Sequence, residues 1–188
     1  MNYQLIIEEI YNKVLGQENF GEKASYIPEL RKVDAAKFGV HMTTVDNEYF
    51  SVGDYQESFS IQSISKALSL VLAYQLHGSK LWDRVGVEPS GTPFNSLVQL
   101  ENDKGIPRNP FINAGALVIC DILITELKKP KEEFIAFVKS LSNGFSIDYS
   151  ETIAQSEKEI GYRNVALCNF IKSFGNIKNK VEDVLDFY

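Results

Sequence analysis

Residues that build metal centres and disulfides are scarce in this sequence. Of 188 residues, two are cysteine, two are histidine and one is tryptophan. Cys120 and Cys168 stand far apart, each inside an apolar run. That is the setting of reduced, buried thiols, and it points to a reducing, cytoplasmic compartment. His41 and His77 have no second histidine or cysteine at ligand spacing, so a zinc centre is not expected. Neither is placed to serve a catalytic triad: His41 falls in a strand-like run, and His77 near a helix end, where a cation opposes the helix dipole. No apolar stretch approaches the roughly 18 to 20 residues that span a bilayer. Basic clusters are also missing. Lys and Arg number 19 against 25 Asp and Glu, a net charge of −6, which argues against nucleic acid and anionic membrane surfaces as partners. The opening MNYQLIIEEI has two early glutamates and no basic segment, so it does not read as a signal peptide.

What is present is ordinary for a folded chain: 44% hydrophobic and 23% charged residues, enough for one generous domain or two small ones. There is no internal repeat or low-complexity tract. Residues 3–15 place Tyr3, Ile6, Ile7, Ile10 and Val14 on one helical face. Residues 37–54 alternate in polarity around Val45-Asp46-Asn47 and predict a hairpin, the only convincing strand pair. The run 63–77 is apolar nearly all round and reads as a buried helix stopped by Gly78. Residues 83–113, with Pro89, Pro93, Pro107 and Pro110, lack a periodic element; a loop that long is expected to wall a site. Helices are predicted over 114–127, over 131–142 after Pro130, and over 150–174 as one helix or a pair with Ser150 as N-cap. A last helix spaces Val181, Val184, Leu185 and Tyr188.

Three constellations could carry chemistry. Ser63 and Lys66 are three apart, one helical turn, so a lysine with a lowered pKa could activate the serine hydroxyl. The pattern is common, and the plain alternative is a capping Ser60 or Ser63 with a surface Lys66. Asn113 opens a buried helix, where it would cap or would grip a substrate carboxylate or amide. Glu157 and Asn164 are seven apart, two helical turns, and would face one way; the carboxylate could hold an α-ammonium group, or the run could be a solvated face.

In order along the chain, these constellations resemble the serine-dependent glutaminases, the family of bacterial glutaminase and the kidney- and liver-type enzymes. The resemblance runs through Tyr26-Ile-Pro-Glu-Leu, Phe59-Ser-Ile-Gln-Ser-Ile-Ser-Lys66 and Arg84-Val-Gly-Val-Glu-Pro-Ser-Gly-Thr-Pro-Phe-Asn-Ser-Leu-Val-Gln-Leu100. It continues through Gly105-Ile-Pro-Arg-Asn-Pro-Phe-Ile-Asn-Ala-Gly115, Gln155-Ser-Glu157, Arg163-Asn164 and Val184-Leu-Asp-Phe-Tyr188. The proline-rich 84–115 block is its most specific part.

The resemblance implies hydrolysis of L-glutamine to L-glutamate and ammonia, without metal or organic cofactor. The implied fold is α+β and helix-dominated, of the serine β-lactamase and transpeptidase type. Ser63 would be the nucleophile and Lys66 its base. Tyr188 would bind substrate beside the nucleophile and relay a proton. Tyr26 and Gln62 would contact substrate, and Asn113, Glu157 and Asn164 would hold its amino-acid end. The family also implies a homo-oligomer, dimer or tetramer. Family members continue for roughly another hundred residues, the scale of a small domain, with a further tyrosine, a Lys-Ser-Gly-type strand and an oxyanion-hole valine N–H. No Lys-Ser/Thr-Gly occurs here. The expectation is therefore a truncated catalytic domain, with residues 1–60 as N-terminal helix and hairpin and 61–188 as a helical subdomain, little active alone. The hairpin is expected to carry an unpaired edge. Two alternatives are a penicillin-interacting Ser-x-x-Lys acyl transferase and a non-catalytic helical interaction module.

Overall fold

The computed structural model describes residues 1–18, 21–91 and 97–188. Residues 92–96, which include Pro93 of the proline-rich block, lie outside the described residues. The chain forms two compact units, Met1–Ser60 and Ile61–Tyr188.

In the first unit, β1 (Gly39–Thr43) and β2 (Tyr49–Gly53) pair antiparallel, with His41 opposite Ser51. Asn47 adopts φ +61° in the connecting turn, a left-handed conformation that asparagine tolerates well. Helix α1 (Tyr3–Leu15) starts at Asn2, whose side chain accepts the Leu5 N–H. The face that α1 turns to the hairpin keeps Tyr3 and Ile7 of the expected set and departs from it elsewhere. Tyr3 packs on Phe50 with ring centroids 5.6 Å apart, and Tyr11 stacks on Phe38 at 5.1 Å. Ile7 is buried, whereas Ile6, Ile10 and Val14 are exposed. The aromatic rings offer more apolar area than the isoleucines, and Gln4 adds a polar anchor. Its Nε2 donates to the Ser51 carbonyl at 3.2 Å, and its Oε1 accepts the Ser51 N–H at 3.4 Å. Gln4 thus satisfies the Ser51 backbone groups of β2. His41 bonds to Ser51 Oγ and Thr43 Oγ1 on the hairpin surface, at 2.7 and 3.1 Å. Helix α2 (Pro28–Arg31) is a single turn.

The second unit is helical: α3 (Ser65–His77), α4 (Leu97–Asn102), α5 (Asn113–Glu126), α6 (Pro130–Leu141), α7 (Glu151–Ile160), α8 (Tyr162–Ser173) and α9 (Val181–Phe187). Helix α5 is the centre. Every residue from Ala114 to Leu123 is buried, enclosed by α3, α8 and α9. A helix that is apolar all round can be stable only with neighbours on every side. His77 at the end of α3 bonds Glu126 at the end of α5, 2.8 Å away. Within 83–113 the described residues hold more regular structure than the lack of periodicity implied. Helix α4 lies within it, and the Gly86 and Glu88 N–H groups donate to the Pro107 and Arg108 carbonyls, both at 2.7 Å. The segment 150–174 is a pair of helices broken at Gly161, so Glu157 and Asn164 do not share one helix. Ser150 is the N-cap residue of α7 but makes no side-chain capping bond. Among the described residues no helix is long and apolar enough to cross a membrane.

Candidate active site

Lys66 is the pivot of the site. It lies in the first turn of α3 and is only 6% exposed, which excludes the surface-lysine alternative. Its Nζ donates to the Asn113 Oδ1 at 2.7 Å and to the Phe111 carbonyl at 3.2 Å. Burial lowers its pKa below the usual lysine value, against a smaller opposing influence of Cys120. Burial pushes the Cys120 thiol itself up to about 12 and Cys168 to about 11, so both are inert thiols.

Asn113 does not cap α5 as its position suggested. Ile112 is the N-cap residue and Asn113 the first helical residue. The turn before it is held instead by Asn109, whose Oδ1 accepts the Phe111 and Ile112 N–H groups at 3.0 and 3.1 Å. The Asn113 side chain is thereby free of capping duty and bridges two helices. Its Oδ1 takes the lysine, and its Nδ2 donates to Asn164 Oδ1 on α8 at 3.2 Å. Lys66, Asn113 and Asn164 form one hydrogen-bonded ladder across three helices.

Ser63 sits in a 3-10 turn, Gln62–Ile64, that leads into α3. It is exposed. Neither Ser60 nor Ser63 caps the helix: Ile64 occupies that position without a side-chain bond. No hydrogen bond joins the Ser63 hydroxyl to Lys66 among the described residues. The Gln62 side chain lies near enough to Glu157 of α7 to favour its ionised form. Burial raises the pKa of the Glu157 carboxyl, and the neighbouring Gln62 amide partly opposes this.

Tyr188 closes α9, its N–H on the Val184 carbonyl at 2.9 Å. Helix α9 is tied down at its far end by Asp186, which pairs with Lys131 of α6 and Lys158 of α7. Tyr26 belongs to the first unit, exposed on the turn before α2. The second unit therefore brings Lys66, Asn113 and Asn164 together, and Gln62 with Glu157.

One cluster escaped sequence reasoning. Asp121, inside α5, is fully buried. It accepts hydrogen bonds from Arg84, from the Lys178 and Asn179 N–H groups and from the Asn179 side chain. Asn176 completes the knot, donating to the Arg84 and Gly105 carbonyls, both at 2.9 Å. The signal available was a lone carboxylate in the middle of an otherwise apolar helix, which must find partners if the helix is buried.

Helix α3 is not buried all round as its apolar run implied: it buries Lys66, Ser69, Leu72 and Ala73 against the core and exposes Val71, Tyr74 and Leu76. Helices gathered around a buried core helix, with a Ser-x-x-Lys motif at the head of a helix packed on it, define a protein of the serine β-lactamase-like class. The glutaminase family model matches residues 21–188, and the chain belongs to the glutaminase family. A glutaminase of Christiangramia forsetii is 56% identical over 188 residues, covering all of this chain and 62% of its own length. Among solved structures, the probable glutaminase YbaS superposes with a TM-score of 0.91 at 28% identity, covering 98% of this chain and 60% of that one. A probable glutaminase from Bacillus subtilis, complexed with 6-diazo-5-oxo-L-norleucine, gives a TM-score of 0.73 at 33% identity, covering 89% of this chain and 50% of its own. The chain thus spans about three fifths of the first two relatives.

Proposed function

We propose that this chain carries the nucleophile half of an L-glutamine amidohydrolase site. The observation that most supports this reading is the buried Lys66 amine, held by two acceptors three residues after an exposed serine. A neutral amine that donates both N–H groups keeps its lone pair for a serine proton. In the proposed reaction, Ser63 Oγ attacks the side-chain carboxamide carbon and its proton passes to Lys66. The tetrahedral adduct expels ammonia, which leaves with that proton, and a seryl ester remains. Water then attacks the ester, Lys66 takes the water's proton, and glutamate leaves as Ser63 regains its hydrogen. Asn113 and Asn164 offer neutral amide donors and acceptors to the amino-acid end of glutamine, and Glu157 a carboxylate for its ammonium. Tyr26 and Gln62 contact substrate, and Tyr188 relays a proton beside the nucleophile. No metal or organic cofactor enters this scheme.

The relatives carry further length, and the loss of one oxyanion donor costs roughly 2.7–4 kcal/mol of transition-state stabilisation. Residues 1–188 alone are therefore expected to release ammonia from glutamine at near-background rates. Joined to the remaining length of the C. forsetii relative, the chain is expected to hydrolyse glutamine, and Ser63→Ala to abolish turnover by more than a thousandfold, on the order seen for loss of a nucleophile. Because only the unprotonated Lys66 acts as base, the rate should rise with pH along a limb lying below the ordinary lysine value of 10.5. A chimera that keeps full activity as Ser63→Ala would overturn the reading.

We further place the protein in the cytoplasm, consistent with two buried free thiols, as a homo-oligomer of two or four copies. Light scattering of the chimera is expected to give one of those masses, and a monomer would refute this.

A further inference from the structure

The two acceptors of Lys66 differ in kind. Asn113 Oδ1 sits on a rotatable side chain, whereas the Phe111 oxygen belongs to the backbone. That oxygen is one end of the peptide plane joining Phe111 to Ile112. The peptide is trans, so its carbonyl and its N–H point in opposite directions, and fixing one aims the other. The far end is held by a side chain. Asn109 Oδ1 accepts the Ile112 N–H at 3.1 Å and the Phe111 N–H at 3.0 Å, across Pro110, whose ring fixes one backbone angle of the turn. The rest of the same amide is occupied too, because Asn109 Nδ2 donates to the Glu88 carbonyl at 2.9 Å. Glu88 is fixed in turn, its N–H on the Arg108 carbonyl at 2.7 Å. One directional series of donors therefore runs from Lys66 through the 111–112 peptide and the Asn109 amide to Glu88. Pro89 follows Glu88 and has no N–H to pass it further. Amides linked in this sense polarise one another, so each carbonyl is a stronger acceptor than it would be alone.

We propose that Asn109 is a positioning residue for Lys66: through the 111–112 peptide it aims the carbonyl on which the amine is held, and through Glu88 it ties that carbonyl to the proline-rich block. The inference rests on the functional reading above only in calling Lys66 the base. Asn109 acts through the peptide rather than by contact with the amine. With both acceptors in place the amine has one orientation; without the carbonyl it swings about Asn113 alone. The segments around Glu88 and Asn109 thus do more than enclose the site, since they carry a rigid acceptor for the base.

Carbon-NMR titration of the Lys66 Cε in residues 1–188 tests this without turnover, the resonance being identified by its loss in Lys66→Arg. A carbonyl acceptor favours the ammonium over the amine, so losing it lowers the titration midpoint. Asn109→Ala removes all three side-chain bonds and is expected to titrate about one pH unit below wild type, the scale of one hydrogen bond to a charged group. Asn109→Ser, whose hydroxyl makes such a turn more weakly, should fall between the two. Cys120 of α5, the titratable group that acts on Lys66 among the described residues, stays a thiol with its value at about 12 and leaves the reading clear. Ile171→Val trims a buried side chain of α8 about two helical turns beyond Asn164 and should keep the wild-type midpoint. An unchanged midpoint in Asn109→Ala would overturn the proposal, because the carbonyl would then be held without the side chain. A rise would also overturn it, being the sign of water entering an opened site, and so would an equal fall in Ile171→Val. Should the alanine variant not fold, the serine variant decides alone: a midpoint below wild type supports the proposal, and one at or above it overturns it. The catalytic reading stands or falls separately, on Ser63→Ala in the chimera.

Discussion

Asp121→Ala is expected to lower the unfolding free energy by about 3–5 kcal/mol, the range for removing one partner of a buried ion pair. The loss has three parts. Arg84, mostly buried, is left with no carboxylate. The Lys178 and Asn179 N–H groups, at 2.8–3.1 Å from the carboxylate oxygens, lose their acceptor. The Asn179 side chain loses one of its bonds, keeping those to the Asp121 carbonyl and Thr125. Domains are typically stable by only about 5–15 kcal/mol, so the variant should sit near its unfolding threshold, read as a fall in the urea midpoint at constant slope. The effect should also depend on pH. Burial by itself would raise the Asp121 pKa, but hydrogen bonds from Asn179, Arg84 and Lys178 outweigh it and hold the group below its ordinary 3.8. A carboxylate depressed in the folded state contributes fully above the unfolded value and loses its contribution as pH falls through the lower, folded one. The gap between wild type and Asp121→Ala should therefore be constant near neutrality and narrow below about pH 4. A gap independent of pH down to 2 would refute the ionised, hydrogen-bonded role.

Gly115→Ala should be nearly as damaging, by a steric route. A Cβ there would lie 1.9 Å from the Asn109 carbonyl oxygen, 2.8 Å from its carbon and 2.9 Å from Pro110 Cα. All three are backbone atoms, so no rotamer change relieves the clash. The turn cannot simply retreat either, because Asn109 is tied to the Phe111 and Ile112 N–H groups and donates to the Glu88 carbonyl at 2.9 Å. Either α5 or the 109–112 turn must move, at a cost of about 1–3 kcal/mol or more for an overpacked site. Both movements displace the acceptors of Lys66, Phe111 O and Asn113 Oδ1. The expected result is a lowered midpoint together with at least a tenfold loss of glutamine turnover in the chimera, since small misplacements at a site are costly. Wild-type stability and activity in Gly115→Ala would show that the close approach is not needed.

Both variants lie in the block most readable as sequence and in the one least so. The Asn-Ala-Gly of residues 113–115 was legible as part of a family motif, but its spacing does not say that the glycine is there for a backbone carbonyl. Asp121 stood in plain view in an apolar run, and nothing nearby in sequence predicts its partners. They come from 37, 57 and 58 positions away. The same holds for the face of α1. Periodicity named Tyr3, Ile6, Ile7, Ile10 and Val14; the hairpin kept Tyr3 and Ile7, added Gln4 and Tyr11, and left Ile6, Ile10 and Val14 exposed. The segment 150–174 reads as one helix or a pair; it is a pair broken at Gly161, so Glu157 and Asn164, expected to share a face, stand on different helices.

Local chemistry decided what the sequence alone could determine: the hairpin, the buried character of α5, the reduced cysteines, and the order of motifs that identified the family. Each depends on side chains a few positions apart or on residue types in series. Helix α3, apolar nearly all round, is expected to be buried too, yet it exposes Val71, Tyr74 and Leu76. Tertiary structure alone decided that Lys66 is buried rather than a surface lysine, and that Asn113 bridges Lys66 to Asn164 rather than capping α5. The physical reason is common to both. A lysine's pKa and an asparagine's bonding are set by desolvation and by donors or acceptors that arrive from distant segments only once the core around α5 has formed.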